Sequence, residues 1–226
     1  QPVFTLIEPD APDANGSDSR LLASVDEAGD LDVLGDCSYR GEDAAGLRYL
    51  ALHYSDMLDE IKRDIIAAEH PAAVVIEANF EGAEDTDRDM RLTFEFERSG
   101  AVSRAGELMI VGVPWTVGTV PYDLVSLEER VHPLILDSWR GSYVETVELS
   151  VPQGYELSSE LPAIESTCVA GRFWLEGEQR EDGTVVLRKT LEIDDFRVEP
   201  QDYRAFRAML ETGWRAEDQQ LVFQRM

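Results

Sequence analysis

Residues 91–98, RLTFEFER, alternate without a break: Leu92, Phe94 and Phe96 fall on one side of an extended chain, and Arg91, Thr93, Glu95 and Glu97 on the other. Successive side chains of a strand point to opposite faces, so this stretch demands a sheet with one dry and one wet face; a helix would scatter the same residues around its axis. Further β-prone runs recur at 72–80, 106–114, 129–136, 142–152, 170–180 and 183–193, with QQLVFQR as a closing strand. The run AAVVIEANF at 72–80 has the β-branched content of a buried strand. Two β-prone runs around Glu27-Ala28-Gly29-Asp30 read as a hairpin, and Asp182-Gly183 supplies a second tight turn.

Two stretches break the two-residue period. From Asp43 to about Glu69, Leu47, Leu50, Tyr54, Met57 or Leu58, Ile61 and Ile65 recur every three or four residues, which predicts one long helix, with Asp43 as its N-cap and Pro71 as its stop. A shorter helix is predicted from about Pro200 to Trp214, with Tyr203, Phe206, Ala208 or Met209, and Leu210 on its apolar side. Many strands with two helices predict a mainly β fold: an antiparallel β-sandwich, jelly-roll-like, with one long and one short packed helix. Residues 1–20, with three prolines by position 12 and then Asn-Gly-Ser-Asp, read as a linker or N-terminal arm, leaving 21–226 as the sandwich domain. The start at Gln1, with neither Met nor an apolar leader, reads as a piece of a longer protein.

Charge narrows the function. Twenty basic residues face 46 acidic ones, a net charge of −26, which repels phosphate backbones and anionic lipid and argues against nucleic-acid partners. No apolar run is long enough to cross a bilayer, so no membrane insertion is expected. Only Lys62 and Lys189 are lysines; the other basic residues are arginines. An acidic, lysine-poor surface suits a protein working in high salt or outside the cytoplasm, periplasmic or secreted, and equally fits genome composition or plain solubility. Cys37 and Cys168 allow one bridge only if the fold brings them together.

Three stretches are candidates for chemistry or recognition. GDCSYRGEDAAGLRYLAL, 35–52, sets Cys37 just ahead of the long helix, where a positive helix end can activate a thiol; His70 and Asp85 or Asp87 follow in the order of a Cys-His-Asp set. Against this, Cys37 lies some six residues before the helix, beyond the reach of its dipole, and Asp36 beside it together with partial burial is expected to raise the thiol pKa. DTDRDM, 85–90, opens like a calcium loop but has Met90 and Phe96 where the motif requires Gly and Glu. With His53, His70 and His132 scattered, no zinc set forms, and no metal or other cofactor is expected. VPWTVGTVPYD, 113–123, carries Trp115 and Tyr122 in a loop, and Trp139 stands in a second loop; these three are the candidate binding residues, with the alternative that Trp115 plugs an open end of the sandwich.

The ordered set of segments resembles the C-terminal region, of unknown function, that flanks the catalytic core of bacterial transglutaminase-like proteins. The cues are VDEAGDLDVLGDCSYRGEDAAGLRYLAL, ERVHPLIL, ETVELSVPQGYEL followed by Leu161-Pro162, and VEPQDYRAFRAMLE with QQLVFQR, together covering roughly 20–226. In the catalytic core of that superfamily the nucleophile stands in a Gly-x-Cys motif at the first turn of a helix; Gly35-Asp36-Cys37 matches the three positions but not the helical setting, and Pro71 follows His70 where the family has a small residue and an aromatic. The resemblance implies a noncatalytic accessory domain whose partner is a transglutaminase-like core in the same polypeptide, with a protein or glycan as a further partner. Two rivals remain: a cysteine hydrolase or acyltransferase using Cys37 and His70, and a stand-alone carbohydrate- or protein-binding module.

Overall fold

The alternation at 91–98 is realised residue for residue: Leu92, Phe94 and Phe96 are buried, and the residues between them are not. The computed structural model describes residues 11–116, 122–136 and 139–226, with the side chain of Tyr122 excepted. In chain order it comprises β1 (Gly16–Val25), β2 (Leu31–Arg40), α1 (Gly41–His53), α2 (Leu58–Glu69), β3 (Val74–Glu81), β4 (Met90–Arg98), β5 (Val102–Ala105), β6 (Leu108–Gly112), β7 (Leu134–Ile135), β8 (Gly141–Ser150), β9 (Tyr155–Leu157), β10 (Ala163–Cys168), β11 (Gly171–Gln179), β12 (Val185–Ile193), β13 (Arg197–Val198), α3 (Tyr203–Glu217) and β14 (Gln220–Arg225).

The fold is mainly β, as the sequence predicts. A large sheet runs β10-β11-β12-β8-β1-β2-β4-β3, a smaller one β5-β6-β14-β9, and β13 pairs with β7. One core cluster joins both larger sheets to α2 and α3: Leu21, Val33, Phe96, Val147 and Leu187 from the large sheet meet Met109, Val111, Leu221 and Phe223 from the small one, with Ile66, Phe206 and Leu210 from the helices. Each fully buried leucine or phenylalanine stabilises this core by about 1.5–3 kcal/mol. The opposite face of the large sheet is turned to solvent, where Arg20, Asp32, Asp36, Arg91 and Glu97 are exposed.

All neighbours in the large sheet are antiparallel except β1 and β8, which run parallel through Gly16↔Ser142 to Ser24↔Ser150. That pairing joins the N-terminal hairpin to the C-terminal half, and it starts at Gly16, inside the stretch read from sequence as an arm. The run at 72–80 is an edge strand, not a buried one: β3 ends the sheet, Val74 and Ile76 are exposed, and its register slips between Val75 and Glu77. A bulge at a sheet edge discourages pairing with another chain, which suits a position with no neighbour on one side.

The long helix is two helices. α1 stops at Tyr54 (φ −125°, ψ 41°), a single 3-10 turn covers Ser55–Met57, and α2 begins at Leu58. Ser55 and Asp56 bring side chains that compete for local backbone groups and favour a turn over a continued helix. The predicted cap also moves. Asp43 lies within the first turn, its carboxyl pushed above the usual range by burial, and the Glu42 N–H is capped instead by Asn15 Oδ1 at 3.1 Å. Gly41 makes the entry with φ +57°, and a Cβ there would lie 1.8 Å from that same Asn15 oxygen. The short helix starts at Tyr203, one turn after Pro200, and covers β10 and β11.

Candidate functional site

The face of the large sheet turned to the core is not uniformly apolar. One rung across it reads Lys189 of β12, Glu145 of β8, Ser19 of β1, Cys37 of β2 and Leu92 of β4, each in register with the next. All five are buried, Glu145 and Ser19 completely. Lys189 Nζ lies 3.0 Å from Glu145 Oε2 and 2.7 Å from Glu217 Oε1 at the end of α3. The ring of Trp115 covers the ammonium, its centroid 4.6 Å from Nζ. Thr116, the next residue, clamps Glu145 Oε1 through its N–H at 2.6 Å and its hydroxyl at 2.7 Å. Burial works against the lysine's charge, but Glu145 and Glu217 outweigh it and hold the ammonium above the ordinary lysine range. The triad, buried at Lys189 and Glu145 and half-buried at Glu217, joins three elements: β8, β12 and the end of α3.

Cys37 sits beside this triad as a thiol. It is 1% exposed and free of any disulfide, and Cys168 is likewise unbridged. Burial, the largest cause, pushes its pKa up to about 11, with Glu145 adding to the rise and the Ser19, Thr116 and Tyr39 hydroxyls pulling part of the way back. The rise expected from the sequence is present, but its carboxylate source differs. Asp36 points to the opposite face, where Arg91 grips both its oxygens at 2.6 Å. Gly35, the glycine of the Gly-x-Cys match, has a packing reason for being there: a Cβ at that position would stand 2.0 Å from the Phe94 ring. Cys37 therefore lies within a strand, not at a helix N-terminus.

His70 is buried at the end of α2, with its ring 4.7 Å from that of Phe96 and its Nε2 without a hydrogen-bond partner among the described residues. Burial, then the charge of Arg98, hold its pKa below the usual value. Phe96 stands four residues along β4 from Leu92, the residue opposite Cys37, a separation of roughly 13 Å at strand rise. Among the described residues no hydrogen bond joins Cys37 to an imidazole. Asp85, third in the Cys-His-Asp order, belongs to a surface turn, accepting from the Asp87 N–H at 3.1 Å and pairing with Arg88 at 3.1 Å. No three His, Cys, Asp or Glu side chains of the described residues converge as a metal site.

The three candidate binding aromatics separate. Trp115 is 8% exposed and forms the roof over Lys189. Trp139 is half-buried and packs against the core, its backbone N–H donating to the Leu136 carbonyl at 2.8 Å. The side chain of Tyr122, like loop positions 117–121, lies outside the described residues.

The triad was missed from the sequence, yet a signal for it exists. In SYVETVELS, Glu145 shares the parity of Val147 and Leu149, and in VVLRKTLEI, Lys189 shares that of Leu187 and Leu191. Both lysines of this arginine-rich chain turn out to be buried, Lys62 at 9% exposure and Lys189 at 4%.

No curated protein matches the chain. A solved structure described as "a putative protease from Parabacteroides distasonis" superposes with a TM-score of 0.45 at 17% identity, covering 52% of this chain and 23% of that one, so the chain spans about a quarter of that protein's length. A family model matches residues 110–223, just over half of the 226, and takes in the strands that carry Glu145 and Lys189 as well as α3 with Glu217. By that match the chain belongs to the family described as Domain of Unknown Function with solved-structure structure (DUF3858).

Proposed function

We propose that the chain is a noncatalytic accessory domain of a transglutaminase-like protein, which positions a catalytic core in the same polypeptide or holds a polypeptide or glycan partner, and which works outside the cytoplasm. The observation that carries this reading is the state of Cys37. A nucleophilic thiol has to be a thiolate near neutral pH and within reach of its substrate. Cys37 is sealed under the core with its pKa raised to about 11, and the buried histidine that would serve it rests against Phe96. The ordered resemblance across 20–226 supplies the family context. No helix among the described residues is long and apolar enough to cross a membrane.

Acyl-transfer assays test this directly. The chain is incubated with a glutamine-bearing acceptor protein and a fluorescent primary amine, and separately with an activated thioester. Background rates, equal for the native chain and Cys37→Ala, are expected. Turnover that Cys37→Ala abolishes while leaving the fold intact would make the chain a cysteine enzyme.

A further inference from the structure

The solvent face of the large sheet carries a pattern that core packing does not explain. Two rungs cross it side by side. In one, Glu148 of β8, Leu22 of β1, Leu34 of β2 and Glu95 of β4 stand in register; in the other, Ser150, Ser24, Asp32 and Glu97. Leu22 and Leu34 are neighbours, 44% and 50% exposed, and they floor a groove of about 430 Å³. At the β8 end of the groove Glu148 is paired with Arg20 and Arg180, and nearby Asp36 with Arg91. At the β2–β4 end the arrangement is the opposite. Asp32 stands directly across from Glu97, and Glu95 directly across from Glu77 of β3. Like charges opposed across a ladder destabilise the sheet, and no ion pair to Asp32, Glu95 or Glu97 forms among the described residues. The groove therefore combines two costs, wet leucines and uncompensated carboxylates, and one kind of occupant relieves both.

We propose that this groove docks an extended polypeptide segment carrying a lysine or arginine beside an aliphatic side chain. The aliphatic group covers Leu22 and Leu34, and the cation lies against Asp32, Glu95 and Glu97. A metal ion would satisfy the carboxylates and leave the leucines wet, and a neutral glycan would leave the carboxylates opposed. Nucleic acid and anionic lipid are repelled. This deepens the partner-holding side of the accessory reading and rests on it.

The test is fluorescence anisotropy at about 50 mM salt, where surface electrostatics are weakly screened. The probe is a labelled nonapeptide that repeats lysine, valine and threonine, compared with the same peptide carrying glutamate for lysine. The lysine peptide is expected to bind and the glutamate peptide not to. The triple variant Asp32→Asn/Glu95→Gln/Glu97→Gln and the pair Leu22→Ser/Leu34→Ser are each expected to weaken binding about tenfold or more. These side chains face solvent, so the fold is retained, and an unchanged melting profile for the serine pair checks it. A control with the same charge change elsewhere, Glu156→Gln/Glu160→Gln/Glu181→Gln, is expected to bind like the native chain.

Equal weakening in the control, or full binding by the leucine pair, would mean diffuse attraction to an acidic surface and overturns the groove. So does the absence of binding at about 1 mM peptide, and so does occupancy by calcium or a neutral oligosaccharide without the peptide. Any of these leaves the inertness of Cys37 untouched, whereas turnover in the acyl-transfer assays would sink the accessory reading itself.

Discussion

Gly35 and Lys189 show how single positions set this structure. Gly35 leaves room for the Phe94 ring on the neighbouring strand, and Gly35→Ala would drive a methyl group into it. Overpacking of this kind typically costs about 1–3 kcal/mol, occasionally more, so the unfolding free energy of Gly35→Ala from urea denaturation is expected to fall by that amount, while Gly46→Ala, at an open position inside α1, is expected to leave it unchanged or raise it by up to about 1 kcal/mol. Lys189→Met leaves Glu145 as a buried charge with its main cation gone and is expected to cost about 3–5 kcal/mol; adding Glu145→Gln should recover a large part, and a double variant as unstable as the single one would show that the triad is not what matters. His70 gives a sign that can be measured. Its folded pKa lies below the usual value, so its contribution to stability is complete above about pH 6.5 and is lost as pH falls through the folded value. The Cε1 proton of His70 should titrate with a midpoint below 6.5 in the native protein; a midpoint above it would place the ring near a carboxylate and contradict the packing on Phe96.

The elements divide into those fixed by local pattern and those fixed by distant partners. α1 belongs to the second kind, since its first-turn N–H is capped from Asn15, twenty-seven residues earlier. Asn15→Ala is expected to cost about 1 kcal/mol, the usual worth of a cap, and Asp43→Ala much less; the reverse ranking would restore Asp43 as the cap. The same division explains what the sequence made legible. The alternation at 91–98, the Glu27–Asp30 hairpin and the Asp182-Gly183 turn depend on neighbours in the chain, and all were readable. The single long helix was not, because its stripe of leucines and isoleucines continues across Tyr54 while the backbone breaks there. β3 looked buried because β-branched residues also serve edge strands, and edge position depends on sheet order, which period alone does not reveal. Of the site, the raised thiol of Cys37 was legible from burial, but Glu145 as its charged neighbour was not, since β1 brings the two strands together only through a parallel pairing with β8.

At the scale of the whole molecule, a net charge of −26 and opposed carboxylates such as Asp32 and Glu97 imply repulsion that counterions relieve. Thermal stability is expected to rise on adding about 0.5 M sodium chloride, and a fall would mean that ion pairs such as Asp36–Arg91 outweigh the repulsion. In this fold the Gly-Asp-Cys match is part of the core, with Cys37 buried on β2 and Gly35 packed under Phe94, and we propose on that ground that the chain assists an enzyme without being one. The rate at which iodoacetamide alkylates Cys37 in the native chain at pH 6.5, read by mass spectrometry of the Cys37 peptide, tests it most directly. With the thiol sealed and its pKa near 11, the rate should fall below that of a free cysteine peptide and rise to match it only on unfolding. Alkylation of native Cys37 faster than the free peptide, and slowed by His70→Ala, would contradict the account.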